Sequence, residues 1–77
     1  METQARQAAK QVLTNEATRV GATLDLDSLR LSLYDEGWNY SATCQRDGKQ
    51  ERMTAMVMQR KMNGENVWSG MAMVMFH

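Results

Sequence analysis

Proline is absent from this 77-residue sequence, cysteine occurs once, as Cys44, and neither sign of charge is in excess. A single cysteine excludes an internal disulfide and fits a reducing compartment. Nine lysines and arginines balance nine aspartates and glutamates, so no long-range field attracts nucleic acid or anionic lipid. We therefore expect a cytoplasmic protein whose contacts depend on local surface features.

Long apolar runs are also missing. No stretch approaches the ~20 residues that span a bilayer, and the polar start METQARQAAKQ is unlike a secretory signal. The length predicts one domain, residues 1–77, which buries only about 60% of the surface that its unfolded chain exposes. Such a domain has about 3–5 kcal/mol of net stability, so a partner that covers apolar surface would stabilise it. No membrane contact is expected.

The first part of the sequence predicts a helix over residues 3–20, which contains good helix formers and no glycine. Arg19 followed by Gly21 is typical of a helix C-terminus. Glu16 falls within the apolar stripe, and we expect its carboxylate to reach water because an unpaired buried charge is costly. The stripe has 3.6-residue spacing and consists of Ala5, Ala8, Ala9, Val12, Leu13 and Val20.

Beyond the connector GATLDLDS the apolar period changes to 2 and predicts strands at about 28–34, 38–46, 49–62 and 65–76. Asp47-Gly48 and Asn63-Gly64 suit two-residue type I′ turns, and Asp35-Glu36-Gly37 is a weaker turn signal. Each turn sets the register of the two strands that it joins. The numbers of paired residues sum to 95 across Asp47-Gly48, to 127 across Asn63-Gly64 and to 73 if Glu36-Gly37 is the first loop. The predicted pairs are Ala42 with Met53, Tyr40 with Ala55, Trp38 with Val57, Val57 with Gly70, Ala55 with Ala72, Met53 with Val74, Leu33 with Tyr40, and Leu31 with Ala42.

All three registers place one set of residues on the same face of the sheet. The set is Leu29, Leu31, Leu33, Trp38, Tyr40, Ala42, Cys44, Met53, Ala55, Val57, Trp68, Gly70, Ala72, Val74 and Phe76. The sequence therefore predicts an α+β fold, with one N-terminal helix packed on a four-stranded antiparallel meander sheet. In outline this arrangement resembles cystatin-like and other helix-on-sheet folds, a likeness of architecture that implies no function.

The opposite face is predicted to divide into two halves. The water-facing half holds Arg30, Ser32, Asn39, Ser41, Thr43, Gln45, Arg52 and Thr54. The other half, called here the methionine face, holds Met56, Met58, Val67, Met71, Met73 and Met75. Thioethers adapt well to a partner surface, and an apolar patch of this kind is usually covered. We expect it to bind a second copy or another protein, the alternative being that the helix or a curled sheet buries it as core.

Two other kinds of ligand are considered for this face. Thioether and imidazole groups suit Cu(I), and the candidates are Met73, Met75 and His77, with Trp68 or Cys44. Neighbouring positions on one strand face lie about 6.6–6.8 Å apart, so a metal site would need a second strand, and no metal is expected. Nucleic acid could contact Arg30, Arg46, Lys49, Arg52, Arg60 and Lys61, with Thr43 between the strand arginines. Inward placement of Trp38 and Tyr40 removes the aromatic platform that single-strand binders use.

Groups for catalysis are scarce. His77 is the one histidine, and Cys44 is predicted on the core face, where cysteine is usually a small apolar side chain. Asp35, Glu36, Asp47 and Glu51 fall near turns, where solvated carboxylates are expected. No phosphate loop or metal-ligand spacing occurs, so we expect neither enzymatic activity nor a cofactor. The prediction is a protein-binding module of the inhibitor or adaptor type, a profile shared by short proteins of mobile elements that inhibit a host factor.

Overall fold

A computed structural model describes residues 2–34 and 37–75, the side chains of residues 33, 34 and 73–75 excepted. Its elements are α1 (Glu2–Val20), β1 (Thr23–Tyr34), β2 (Trp38–Arg46), β3 (Lys49–Met62) and β4 (Glu65–Met75). The four strands form one antiparallel sheet in the order β1-β2-β3-β4, and α1 packs on one face of it. This confirms the predicted α+β fold.

Helix α1 buries a narrow stripe of small side chains at four-residue spacing: Ala5, Ala9, Leu13 and Ala17. Ala8, Val12 and Val20 from the predicted stripe are partly buried beside it. The helix ends at Val20 as predicted and is followed by Gly21, which has φ of +73°. The Ala22 N–H donates to the Ala17 carbonyl oxygen at 2.8 Å, and this bond closes the last turn.

Both strong turn predictions are confirmed, because Asp47 and Gly48 have φ of 55° and 74°, and Asn63 and Gly64 have φ of 53° and 81°. Type I′ turns require positive φ at both central positions, which Asn, Asp and Gly tolerate best. The registers that these turns impose are also confirmed. The pairs are Ala42 with Met53, Tyr40 with Ala55, Trp38 with Val57, Val57 with Gly70, Ala55 with Ala72, and Met53 with Val74.

The first strand differs from its prediction. It begins at Thr23 rather than near residue 28, so most of the supposed connector is strand. The predicted pairs of Leu33 with Tyr40 and Leu31 with Ala42 are wrong, because two register shifts interrupt β1. Leu31 lies opposite Tyr40 instead, and on this edge strand its side chain keeps 37% exposure. Leu33 lies opposite Asn39. The predicted turn residues Asp35 and Glu36, and Phe76, lie outside the described residues.

The larger shift in β1 is stabilised by local hydrogen bonds. The Thr43 N–H of β2 donates to the Ser28 hydroxyl oxygen at 2.7 Å, and that hydroxyl donates to the Asp25 carbonyl oxygen at 2.6 Å. The Asp27 N–H donates to the Asp25 carboxylate at 3.1 Å. Ser28 therefore takes the place of a backbone partner where the extra residues of β1 leave the ladder.

The core lies between α1 and the predicted sheet face. Its buried members are Ala5, Ala9, Leu13, Ala17, Leu29, Tyr40, Ala42, Cys44, Met53, Ala55 and Val57, with Trp38, Trp68, Ala72 and Leu24 partly buried against them. The predicted inward placement is thus confirmed for Leu29, Trp38, Tyr40, Ala42, Cys44, Met53, Ala55, Val57, Trp68 and Ala72, whereas Leu31 and Gly70 are exposed. Small residues on both layers let the helix lie close to the sheet.

The expectation of a solvated carboxylate at Glu51 is wrong. This residue lies in β3 on the helix-covered face, opposite Cys44, and is buried. Arg46 donates to both carboxylate oxygens of Glu51, from Nε and Nη2, at 3.2 Å each. A two-pronged contact of this kind offsets much of the cost of taking the carboxylate out of water.

The Arg46–Glu51 pair gives the first prediction. Arg46→Met would leave a buried carboxylate without its counter-charge, which typically costs about 3–5 kcal/mol of unfolding free energy. We expect the lower end of that range, because the Arg46 side chain is 24% exposed and water partly screens the pair. The double variant Arg46→Met/Glu51→Met should regain most of the loss. Urea denaturation measures both, and a double variant as unstable as the single one would contradict this account.

A second prediction concerns the close contact between β3 and β4 at Gly70. A Cβ atom there would stand 2.6 Å from Val57 Cγ1 and 2.6 Å from the Met56 carbonyl oxygen. Gly70→Ala is therefore expected to lower the unfolding free energy by about 1–3 kcal/mol through overpacking. The control is Ser69→Ala on the same strand. Equal or higher stability of Gly70→Ala in urea denaturation would show that the contact is not tight.

Candidate functional site

The methionine face lies on the side of the sheet that α1 leaves open. Ala55 and Val57 are buried under the helix, so the alternate residues Met56 and Met58 turn the other way. Met71 pairs with Met56 across β3 and β4 and is 65% exposed. For the described members, the alternative in which the helix covers these side chains is therefore wrong.

Met56 and Met58 are half-buried rather than fully exposed, because a nearby part of the backbone shields them. Gly37 is buried, and a Cβ atom on it would stand 3.4 Å from Met56 Cγ and 3.5 Å from Met58 Cβ. The backbone leading into β2 thus rests against both methionines. Beside them is a shallow depression of about 180 Å³, lined by Met56, Met58, Arg60, Ser69, Gly70 and Met71.

The remaining members of the methionine face are Val67, Met73 and Met75, all on β4. Val67 is half-buried near the start of β4. The backbones of Met73 and Met75 lie opposite Thr54 and Arg52, which puts both positions in line with Met71 along β4. Their side chains lie outside the description, as does His77, so the Cu(I) hypothesis stays a prediction. Over residues 2–34 and 37–75, no group of three His, Cys, Asp or Glu residues could hold a metal ion.

Cys44 is buried on the helix-covered face, as predicted, and cannot join a site with the exposed Met71. Burial raises the pKa of its thiol above the ordinary value, and the negative charge of Glu51 raises that pKa further. Arg46 opposes the shift in part. The thiol is therefore protonated at neutral pH, which matches a small buried side chain rather than a nucleophile.

The basic candidates for nucleic-acid contact do not form one surface. Arg46 is paired with Glu51, while Lys49 is exposed at the start of β3. Arg60 and Lys61 are exposed near the end of that strand. Arg30 and Arg52 lie on the polar half of the open face and line one cavity together. Ser41 between them was expected to face water, but it is only 3% exposed.

Inward placement of the two predicted core aromatics is confirmed. Tyr40 is buried and Trp38 packs against the core, so neither offers a stacking surface for bases. The Tyr40 hydroxyl donates to the Glu2 carbonyl oxygen at 3.5 Å. Burial raises the pKa of this phenol, as does the charge of Glu2.

One further groove was not foreseen from the sequence. It measures about 680 Å³ between α1 and the β3–β4 hairpin, and carboxamides surround the half-buried indole of Trp68. Its lining is Gln4, Gln7, Ala8, Gln11, Gln59, Asn66 and Trp68. Amide groups both donate and accept hydrogen bonds, so the groove is suited to neutral polar groups. The signal was the spacing of Gln4, Gln7 and Gln11, which places them on one side of a helix.

Comparison of the chain with protein-family models, with curated proteins and with solved structures finds no match. In the part of the chain that the structure describes, no helix combines the length and apolar character needed to cross a membrane. Function must therefore be inferred from the surfaces themselves.

The buried thiol gives a third prediction. Because the pKa of Cys44 is raised in the folded protein, iodoacetamide at pH 8 should alkylate it at least about tenfold more slowly than in the guanidinium-unfolded chain. The stabilising effect of the protonated thiol is complete at pH values below the pKa of the thiol in the unfolded chain, and it is lost as pH rises through the raised pKa of the folded protein. Mass spectrometry follows the alkylation. Equal rates in both states would contradict the burial.

Proposed function

We propose that the protein is a small non-enzymatic binding protein that self-associates through the methionine face. The observation that carries the proposal is Met71, a large apolar side chain 65% exposed beside Met56 and Met58 on the face that α1 leaves open. Soluble domains seldom expose contiguous apolar side chains without a partner to cover them. Flexible, polarizable thioethers supply packing without demanding one rigid complementary shape.

A second copy of the chain fits this face better than a partner chosen for its charge. The net charge is zero, so two copies approach without long-range repulsion. Two twisted sheets pack face to face at about 10 Å with their strands nearly aligned, which would bring the methionines of both copies together. A two-fold contact of this type closes on itself and stops at a dimer.

Self-association would also increase the stability of this small domain. A single helix packs on one face of the sheet. A chain of 77 residues buries too little surface on folding to have much net stability. Dimerisation removes further apolar surface from water and stabilises the folded state by mass action. Binding to a target protein would use the same face, as an inhibitor or adaptor does. The free buried Cys44 suits the reducing cytoplasm as the place of action.

The fourth prediction tests this surface with two matched variants. Met71→Lys places a charge in the proposed contact and should shift the protein from dimer to monomer at micromolar concentration. Met62→Lys makes the same change at a methionine that is 60% exposed near the turn, six residues along β3 from Met56 or about 20 Å away. It should remain dimeric. Sedimentation velocity measures both, with circular dichroism as a check of folding.

Three outcomes would overturn the self-association. A wild type that sediments as a monomer up to about 100 μM would remove it outright, since stable interfaces hold at far lower concentrations. Dimers that persist in Met71→Lys would place the contact elsewhere. Loss of dimer in both variants would point to a charge effect without a defined surface.

A further inference from the structure

The polar half of the open sheet face brings two arginines to the same cavity. Arg30 of β1 lies opposite Ser41 of β2, and Arg52 of β3 lies opposite Thr43, two residues along β2. Arg30 and Arg52 are two strands apart in the sheet and are offset by two residues along the strand direction. Their Cα atoms are therefore about 12 Å apart. Guanidinium groups on side chains of this length can converge from that separation on one small ligand above Ser41 and Thr43.

The cavity between these strands measures about 290 Å³. Its lining consists of Ser28, Arg30, Ser41, Ala42, Thr43 and Arg52, so cations and hydroxyls surround it. Ser28 is held in place, because its hydroxyl oxygen accepts from the Thr43 N–H and donates to the Asp25 carbonyl. The bulge in β1 therefore fixes one wall of the cavity.

Neither arginine has a counter-charge among residues 2–34 and 37–75. Among the described residues, the guanidinium groups of Arg30 and Arg52 make no ion pair and no hydrogen bond, whereas Arg19 and Arg46 are paired with Glu16 and Glu51. Two unpaired cations that share a cavity repel each other. An anion between them would remove that repulsion and satisfy several N–H donors at once.

Ser41 is a second and independent indication of a ligand. The residue is 3% exposed, yet its hydroxyl makes no hydrogen bond to another described residue. No fully enclosed polar side-chain atom in the described residues lacks a partner, so the Ser41 oxygen must keep contact with the cavity that it lines. A nearly buried hydroxyl aimed at a cavity is ready to donate to whatever fills it.

We propose that Arg30, Arg52 and the hydroxyls of Ser41 and Thr43 form a binding site for a phosphate group. The planar guanidinium fork matches the oxygens of a tetrahedral oxyanion, and each hydroxyl adds a donor. The cavity accommodates a phosphate with a small attached group, not the extended backbone of a duplex. The site shares no residue with the methionine face, although Arg52 lies opposite Met75, and a monomer can bind the anion without self-association.

One carboxylate opposes the anion. Asp25 lies opposite Thr43 at the neighbouring position on β1, and its Oδ1 accepts the Asp27 N–H. It lines a different cavity, with Thr23 and Leu24, so it stands beside the phosphate site rather than in it. Its negative charge should weaken phosphate binding without blocking it. Asp25→Asn keeps the oxygen acceptor, removes the charge and should therefore tighten binding.

The fifth prediction is tested with inorganic phosphate at low ionic strength, by amide chemical shifts in ¹⁵N-labelled protein and by calorimetry. Saturable shifts are expected around Ser41 and Thr43. Arg30→Gln and Arg52→Gln should each weaken binding about tenfold or more, because each removes a charge-assisted contact. The matched control is Arg60→Gln, which removes one exposed arginine from β3 outside the cavity. It should leave the affinity unchanged.

Four results of the phosphate titrations would overturn the site. They are shifts that do not saturate, equal competition by chloride, equal weakening by Arg60→Gln and Arg30→Gln, and weaker binding in Asp25→Asn. A mixed single-stranded oligonucleotide separates the sources of phosphate. Oligonucleotide binding that exceeds phosphate binding and depends on Arg60 would indicate a strand-binding surface and overturn the proposed pocket. Measurements in Met71→Lys keep the result independent of the oligomeric state.

Discussion

The structure depends on one helix packing closely against one face of a four-stranded sheet. The contact is close because the helix presents Ala5, Ala9 and Ala17, and the strands below present Ala42 and Ala55. A 19-residue helix is about 28 Å long, whereas the 14 residues of β3 extend over about 47 Å. The helix therefore cannot cover the whole sheet on its own side, and it covers none of the other side.

The parts that the sequence predicted best are those fixed by tight turns. An Asp-Gly or Asn-Gly pair sets a two-residue loop, and the loop sets the register of both strands by arithmetic. Because side chains alternate with period 2, the register then decides which residues face the helix and which face away. The burial of Met53 and the exposure of Met71 could both be predicted in this way. So could the facial position of Arg52, which lies opposite Thr43.

The register of β1 could not be predicted in the same way, because its irregularity lies within the strand and not at a turn. Apolar residues stand at even positions, Leu24 and Leu26, and then at odd positions, Leu29 and Leu31. A change of parity within one strand marks an odd number of extra residues, and between Asp25 and Arg30 five steps along β1 face two steps along β2. The sequence carried this signal, yet nothing in it stated that Ser28 would hydrogen-bond to β2. The face that Arg30 occupies could thus be predicted, but the register of Leu31 and the cavity that the bulge helps to form could not.

The buried Glu51, and Arg30, which makes no ion pair with any residue that the structure describes, show why charge is harder to predict than burial. The position of a residue along a strand determines which face its side chain occupies. Whether a charged side chain forms an ion pair depends on its diagonal neighbour on the next strand and on the rotamers of both side chains. Arg46 reaches Glu51 diagonally, from the residue pair next to the turn. Arg30, on an edge strand, has hydroxyls rather than a carboxylate beside it on β2. The same residue type therefore supports the core in one place and remains open to a ligand in another.

Both proposed surfaces share the open face, and this has an energetic consequence. A second copy packed on β3 and β4 would leave the β1 side of the polar half near the rim of the contact, where charges still act over about 8–10 Å. In such a dimer the positive charges of Arg30 and Arg52 near that rim would oppose the apolar contact, and an anion bound between them would weaken this opposition. If anion binding raises the dimerisation constant by some factor, linkage requires that dimerisation raise the affinity for the anion by the same factor.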